Sequence, residues 1–144
     1  MPEDPRGTAR KARQGAQAAV GRATRQSRLG SSGERVAAEL LETHAYRILA
    51  RNWRCPYGEV DLIAEDGGEL VFVEVKTRWG QRLGMPEEAI TPRKRRHLLA
   101  AAQTYLAEQG SEQRPYRFDV VAIELSADGR VEGMRLYQRA FGEE

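Results

Sequence analysis

The stretch from Gly58 to Lys76 constrains the fold of this chain more than any other part of the sequence. Both halves are rich in Val, Ile, Leu and Phe, and the strong turn signal between them is Asp66-Gly67-Gly68. A two-residue glycine loop favours a tight antiparallel hairpin, so we place Gly67 and Gly68 in the loop. The resulting register makes one face wholly apolar. Its facing pairs are Val60 with Val75, Leu62 with Val73 and Ala64 with Val71, while Ile63 faces Phe72 on the other side and Asp66 faces Glu69 at the turn.

The second face of the hairpin carries charge, because the same register places Asp61 opposite Glu74 and Glu59 opposite Lys76. Facing Cβ atoms lie about 4.5–5.5 Å apart, where two like charges are unfavourable. A divalent cation held by both carboxylates would remove that repulsion, and oxygen ligands suit Mg²⁺ or Mn²⁺. Lys76 points to the same face as Glu74, where it would orient a nucleophilic water or stabilise a charged transition state.

A purely structural interpretation of the hairpin stays open at this stage. The charged face would then be the solvated side of an amphipathic hairpin, with Glu59 and Lys76 as an ordinary ion pair. A slip of one residue would exchange the two faces, because side chains alternate with a period of two.

Two motifs resemble the signature of the YraN-like family of bacterial proteins: Gly58-Glu59-Val60-Asp61-Leu62-Ile63-Ala64 and Phe72-Val73-Glu74-Val75-Lys76-Thr77-Arg78. This family is similar to the PD-(D/E)xK nuclease superfamily, which includes archaeal Holliday-junction resolvases and many restriction enzymes. The resemblance covers about residues 31 to 141. It also takes in Gly33-Glu34, Arg51-Asn52, Arg117-Phe118-Asp119-Val120-Val121 and Ala140-Phe141.

The resemblance implies a metal-dependent endonuclease that hydrolyses phosphodiester bonds in DNA, including branched or otherwise structured DNA. Asp61 and Glu74 would hold Mg²⁺, or Mn²⁺ in its place, and the backbone carbonyl of Val75 would complete the set. In the resembled nucleases an acidic residue on the first helix joins the metal site, and Glu34 stands at the matching position. Lys76 is the fourth expected catalytic residue, acting on the water that attacks the phosphorus.

The expected fold is α/β, with the element order αβββαββ. It consists of a restriction-endonuclease-like αβββαβ core, in which helices flank a mixed central sheet, and one extra C-terminal strand. The alternation of Tyr116, Phe118, Val120 and Ala122 predicts a buried strand that lies parallel to the second hairpin strand, since a helix connects them. The final strand is expected at about residues 130–137. We expect Asp119 to form a structural ion pair with Arg117.

The length of 144 residues suits one folded domain, which we place at residues 31–144 behind a basic, disordered tail of residues 1–30. The tail is rich in arginine and has Glu3 and Asp4 as its acidic residues, so it would bind nucleic-acid phosphates without reading sequence or would merely aid solubility. No apolar run approaches a membrane span, so no membrane partner is expected. The single cysteine, Cys55, agrees with a cytoplasmic location.

The first helix is expected over about residues 32–45, with Ser31 as N-cap and Glu34 as the acidic partner of a capping box. Glu34, Ala37 and Leu41 lie on one face of this helix, so the carboxylate continues the inward-facing stripe. Glu34 therefore has both a capping interpretation and a metal-binding one.

Nucleic-acid contacts are expected from two basic segments near the hairpin. The first is a loop from Thr77 to Gly84, which carries Arg78, Arg82 and the aromatic Trp79. The second is the first turn of a helix over about residues 92–109, which begins at Thr91-Pro92 and has Leu99, Ala102 and Leu106 as its core stripe. This turn contains Arg93, Lys94, Arg95 and Arg96. Cations there oppose the helix dipole unless a phosphate binds at the helix N-terminus.

The alternative function is a non-catalytic nucleic-acid-binding or adaptor module on a nuclease fold, because a fold alone does not establish chemistry. A nuclease needs both carboxylates and a divalent cation, whereas a binding module is indifferent to Glu74→Gln. Cleavage of a four-way junction would favour a homodimer, since two cuts are needed.

Overall fold

One mixed five-stranded sheet, with a helix against each face, forms the part of the chain that the computed structural model describes. The described residues are 26–79 and 90–142, with side chains from Gly33 onward. The elements are α1 (Gln26–Thr43), β1 (Arg47–Cys55), β2 (Gly58–Asp66), β3 (Glu69–Trp79), α2 (Pro92–Glu108), β4 (Tyr116–Leu125) and β5 (Val131–Phe141). The strands lie in the order in which they occur in the chain. The β3–β4 pair is parallel and the other neighbouring pairs are antiparallel. The predicted αβββαββ order and mixed sheet are confirmed.

The β2–β3 hairpin has the predicted register from its turn to the pair Leu62–Val73. Gly67 and Gly68 form the loop with φ of 59° and 92°, values that favour glycine. The antiparallel ladder ends at Leu62–Val73, so the predicted facing of Asp61 with Glu74 is not a regular cross-strand pair. In its place, the backbone N–H of Val75 donates a hydrogen bond of 2.8 Å to Oδ2 of Asp61.

Two apolar cores lie on opposite faces of the sheet, because neighbouring strand residues alternate between them. Leu62, Val73 and Val121 pack with the buried face of α1, which includes Ala37 and Leu41. The α2 core holds Ile63, Phe72 and Val120 together with Leu98, Ala102, Tyr105 and Leu106. Both faces of the central strands are therefore covered, which agrees with their nearly continuous apolar sequence.

Val60 packs in the α2 core, although alternation from Leu62 predicts the α1 face. The reason is a local irregularity in β1, where Asn52 has a positive φ of 49°. The β1–β2 pairing includes Arg51–Leu62 and Trp53–Val60 but omits Asn52–Asp61 between them. The alternation of side chains between the two faces of the sheet is therefore interrupted at Asn52 in β1 and at Asp61 in β2. This interruption is the break in β2 at which Asp61 lies.

Helix α1 begins at Gln26, earlier than the predicted start, so Ser31 lies within the helix and does not cap it. A capping box marks a place where a helix is able to start, and residues 26–30 contain no proline that would stop it from extending further. Residues 26–30, predicted as tail, thus belong to α1. The prediction of disorder for residues 1–25 lies outside the described residues.

Helix α2 begins as predicted, with Thr91 as N-cap and Pro92 in the first turn. The Thr91 hydroxyl accepts a hydrogen bond of 3.1 Å from the backbone N–H of Lys94. The predicted core stripe is shifted, because Leu98 and Tyr105 are buried while Leu99 is only partly so. Tyr105 sets this orientation through edge-to-face contacts with Trp53 and Phe72, at centroid distances of 5.3 and 5.8 Å.

Strands β3 and β5 are longer than predicted. Arg78 and Trp79 belong to β3 and not to a loop, because β4 continues far enough to pair with them at Glu124 and Leu125. Strand β5 extends to Phe141 through an irregularity at Arg139, where φ is 51° and the backbone N–H donates to Oδ1 of Asp119 at 3.0 Å.

The predicted ion pair between Arg117 and Asp119 is confirmed, with Nε and Oδ1 separated by 2.9 Å. Arg117 also donates to Asp66, Glu69 and the Tyr46 hydroxyl, each at 2.8 Å. Asp119 is fully buried and also accepts from the Tyr46 hydroxyl at 2.6 Å. This network fastens the start of β4 to the hairpin turn.

The helices in the described part of the chain are all too short or too polar to cross a membrane.

Candidate active site

Two predicted catalytic carboxylates, Glu34 and Glu74, lie within electrostatic reach of a third, Asp61. Glu34 projects from α1, Asp61 from the break in β2, and Glu74 from β3. The charge of Asp61 contributes to raising the pKa of both Glu34 and Glu74. The structure thus gathers residues that lie far apart in the sequence.

Glu74 is the most perturbed of these acids. Its side chain is 8% exposed, and burial followed by the charge of Asp61 raises its pKa to about 7. Oε2 lies 3.8 Å from Nζ of Lys94, whereas the buried Oε1 has no hydrogen-bond partner among residues 33–79 and 90–142. A buried carboxylate oxygen without a partner is costly, and a bound cation would satisfy it.

Asp61 and Glu34 have smaller shifts of the same sign. Burial raises the pKa of Asp61, and the hydrogen bond from Val75 opposes that rise. Burial and the charge of Asp61 raise the pKa of Glu34, while a hydrogen bond from the Asn52 side chain opposes the rise. Each acid is therefore held in an environment that favours a compensating positive charge.

Two lysines lie at this site. Lys76 and Lys94 both lower the pKa of Glu74 through their charges, and of the two only Lys94 forms an ion pair with it. The structure places Lys76 on β3 as predicted. Lys94 was predicted as a nucleic-acid contact, and its position beside Glu74 was not predicted because the contact joins distant elements.

The four basic side chains in the first turn of α2 lie in different environments. Arg93 and Arg96 are exposed, whereas Lys94 is directed to Glu74. Arg95 donates from Nε to the carbonyl of Ile90 at 3.2 Å and lies 5.6 Å from the centre of the Phe141 ring. Pro92 has no N–H and the N–H of Lys94 is capped, so this helix N-terminus offers few free donors to an anion.

The remaining predicted nucleic-acid contacts lie in or beyond β3. Arg78 is half-buried in the strand, and Trp79 follows it with 47% exposure. Arg82 lies outside the described residues. Asn52 belongs to a family motif but was not predicted as a site residue. Its side chain forms a hydrogen bond with Glu34, and its backbone has a positive φ, which a sequence does not display.

A complete metal site is not formed by protein side chains alone in residues 33–79 and 90–142. No group of three or more acidic, histidine or cysteine side chains there lies close enough to hold an ion. A cation bound by Asp61 and Glu74 would therefore need further ligands from backbone or water.

The sequence from residue 33 to residue 123 matches the model of the uncharacterised protein family UPF0102. A UPF0102 protein of Symbiobacterium thermophilum is 57% identical over 114 residues, which cover 79% of this chain and 96% of the relative. Those of Moorella thermoacetica and Caldicellulosiruptor saccharolyticus are 48% and 46% identical, and the alignments cover 79% and 78% of this chain and 95% and 96% of the relatives.

A likeness to a solved structure is weaker. The Pyrococcus furiosus SfsA structure in complex with Ca²⁺ is 17% identical with a TM-score of 0.38, over 76% of this chain and 62% of that one. A score of this size does not establish a common fold. The family match and the relatives are decisive, and they confirm the family predicted from the hairpin motifs: the chain belongs to UPF0102, the YraN-like family.

Proposed function

We propose that this protein is a metal-dependent nuclease that hydrolyses phosphodiester bonds in DNA. The observation that carries the proposal is the environment of Glu74. This buried carboxylate has one oxygen without a hydrogen-bond partner among the described residues, and it lies near Asp61 and within reach of Lys94. Paired acids with adjacent cations suit the hydrolysis of a charged phosphate ester.

The donor set fits a hard divalent cation. Asp61 and Glu74 supply carboxylate oxygens, with Glu34 acting directly or through water and the Val75 carbonyl as a further ligand. Mg²⁺ commonly keeps several waters and uses one or two carboxylates, which agrees with a site that has no three-acid cage in the described residues. Mn²⁺ would serve in the same place.

The cation would supply charge neutralisation at the phosphate and a more acidic water. The chain's own residues do the remaining work. Asp61 is fixed by the Val75 N–H, which holds its carboxylate toward β3. Lys76 orients the attacking water or stabilises charge on the phosphate oxygens. Lys94 is 39% exposed at its side chain, so it is able to contact substrate while remaining near Glu74.

A DNA substrate is supported by the distribution of positive charge around the acids. Exposed Arg93 and Arg96 extend the positive charge of Lys94 along the start of α2, and Arg78 adds to it from β3. Such residues bind phosphates without reading sequence. We propose a branched or otherwise structured DNA as substrate, with a homodimer where two symmetric cuts are made.

A non-catalytic adaptor is the second candidate, and one observation favours it. Lys94 already supplies a positive charge to Glu74. The adaptor would bind nucleic acid through its cations and would not turn it over.

Cleavage assays separate the two candidates. Labelled single-stranded, duplex, flap and four-way-junction DNA would be incubated with Mg²⁺ or Mn²⁺ and either wild type, Glu74→Gln or Glu42→Gln. Glu42 is an exposed glutamate of α1, so its variant is a matched control for the loss of one carboxylate. Metal-dependent cutting by wild type and Glu42→Gln, but not by Glu74→Gln, supports the nuclease. Binding without cutting, equal in all three proteins, supports the adaptor.

A further inference from the structure

A small cleft lies between the start of β2 and helix α2. It has a volume of about 40 Å³ and is lined by Tyr57, Gly58, Glu59, Lys94 and His97, with Leu98 and Ala101 completing its wall. A volume of this size holds two or three waters. It is far below the several hundred Å³ that a base or nucleoside would need.

The lining of the cleft is rich in hydrogen-bond donors. Lys94 and His97 are three residues apart on α2 and therefore lie on the same helix face. Tyr57, which is 51% exposed, lines the same cleft from the residue that precedes β2. An amine, an imidazole and a phenol together suit the oxygens of a small anion such as a phosphate group.

Lys94 connects this cleft to the carboxylate site, because it lines the cleft and also contacts Glu74 at 3.8 Å. A phosphate in the cleft would therefore lie one lysine side chain away from the proposed point of hydrolysis. Glu59 is the one acid of the lining and opposes an anion there. Its Oε1 lies 3.9 Å from the exposed guanidinium of Arg54, which offsets part of that charge.

A larger cleft at the start of β4 offers no comparable case. It has a volume of about 430 Å³, and its arginines are Arg114, Arg117 and Arg139. Each of these already pairs with hairpin carboxylates, Arg114 with Glu65 and the other two with Glu69. An anion would have to displace those carboxylates from the arginines. In the cleft beside Lys94, binding to Tyr57 or His97 displaces no ion pair among the described residues.

We propose that the cleft between Tyr57 and His97 is a subsite for the phosphate that neighbours the cleaved one in a nucleic-acid strand. The proposal rests on the proposed function and defines its substrate further. The strand must continue for at least one charged phosphate beyond the cleaved bond on the side of α2. Minimal diesters without such a neighbour would be hydrolysed without help from Tyr57 or His97.

The test combines protein variants with substrate variants. Wild type, Tyr57→Phe, His97→Gln and the control Gln103→Ala would be compared on the DNA that is cut best and on bis(4-nitrophenyl) phosphate. Gln103 is exposed on α2 and does not line the cleft. A set of oligonucleotides would carry one neutral methylphosphonate at successive positions around the cut. Circular dichroism of each variant would check that it is folded.

We expect His97→Gln and Tyr57→Phe each to lower kcat/KM on the oligonucleotide about three- to tenfold, the effect of losing one typical hydrogen bond. One methylphosphonate position next to the cut should remove the difference between wild type and variant. Bis(4-nitrophenyl) phosphate should be hydrolysed equally by all four proteins. If every position keeps the same ratio of variant to wild type, the subsite proposal is overturned while the nuclease stands.

If wild type cuts no substrate, the subsite is tested by binding instead of cleavage. Affinity for the oligonucleotide would be measured by fluorescence anisotropy with the same four proteins. A loss of about threefold or more in Tyr57→Phe and His97→Gln alone would support the phosphate subsite on a binding protein and would refute the nuclease. Equal affinities, or no binding by wild type, would refute both.

Discussion

Glu74 and Lys94 form the contact that joins the sheet to α2 at the candidate site, with Oε2 and Nζ 3.8 Å apart. The carboxylate is buried, while the lysine side chain keeps 39% of its surface exposed. Because Oε1 of the same carboxylate has no hydrogen-bond partner in the described part of the chain, the lysine compensates Glu74 only in part. The pKa of Glu74 is accordingly raised to about 7 by burial and by the charge of Asp61.

The raised pKa of Glu74 predicts that the metal-free protein loses stability as pH rises from about 4.5 to 7. A carboxyl group with a folded-state pKa above its unfolded value favours the folded state below the unfolded pKa, and this contribution disappears through the folded pKa. The loss is at most about 3.5 kcal/mol, from about 1.4 kcal/mol per pKa unit. Urea unfolding in EDTA at pH 5 and pH 8 measures it. Glu74→Gln should flatten the profile relative to Glu42→Gln, and parallel profiles for the two variants would contradict the prediction.

Divalent metal should stabilise wild type but not Asp61→Asn at pH 8, where Glu74 is ionised. Binding to the folded state alone adds about 1.4 kcal/mol when free metal is tenfold above Kd. For a chain of this size that corresponds to a rise in Tm of about 3–6 °C. Thermal unfolding with and without Mg²⁺ or Mn²⁺ measures the rise, and removal with EDTA should reverse it. An equal rise in Asp61→Asn would place the metal elsewhere.

Asn52 has two roles, a backbone conformation with positive φ and a side-chain hydrogen bond with Glu34, and two substitutions distinguish them. Asn52→Gly keeps the backbone conformation but removes the hydrogen bond to Glu34, so we expect nearly unchanged stability and lower activity. Asn52→Val should in addition cost about 1–3 kcal/mol, because a branched residue is strained at this φ. Urea unfolding and kcat/KM distinguish the variants. Full activity of Asn52→Gly would show that Glu34 does not need this partner.

The placement of Asp61 and Glu74 could be predicted in part, because one hairpin carries both residues. Glycine turn chemistry and alternating apolar residues fix the β2–β3 register as far as the pair Leu62–Val73. Asp61 and Glu74 lie directly beyond that pair, near enough for the charge of Asp61 to raise the pKa of Glu74, although they do not form a regular cross-strand pair. The details around Asp61 depend on a left-handed Asn52 in the neighbouring strand, which no local pattern requires. Alternation alone therefore put Val60 on the wrong face.

Contacts between distant elements were the least accessible to sequence reasoning. Lys94 and Arg95 look alike within a basic run, yet one reaches Glu74 and the other lies over Phe141, because successive helix residues point about 100° apart. The pairing of Arg117 with Asp119 was predicted from their spacing in β4. Its extension to Asp66, Glu69 and Tyr46 depends on tertiary packing.

The network around Arg117 should be critical for stability. Arg117→Met would leave the fully buried Asp119 and the buried Asp66 without their cation, which typically costs about 3–5 kcal/mol. Arg130→Met is a suitable control, since Arg130 is exposed and pairs only loosely with an exposed aspartate. Urea unfolding measures both. A cost below about 1 kcal/mol for Arg117→Met would show that the acids become protonated or hydrated instead.

Arg93 and Arg95 provide a matched pair for testing how α2 meets nucleic acid. Arg93 is exposed, so Arg93→Gln should weaken DNA binding and lower the slope of log affinity against log salt by about 1, with little effect on stability. Arg95 bonds to Ile90 and lies over Phe141, so Arg95→Gln should lower stability by about 1 kcal/mol. Anisotropy titrations at several salt concentrations and urea unfolding read the two effects separately. If Arg93→Gln leaves the salt slope unchanged, the exposed side of this turn does not contact phosphate, and the binding surface must lie with Lys94 and β3.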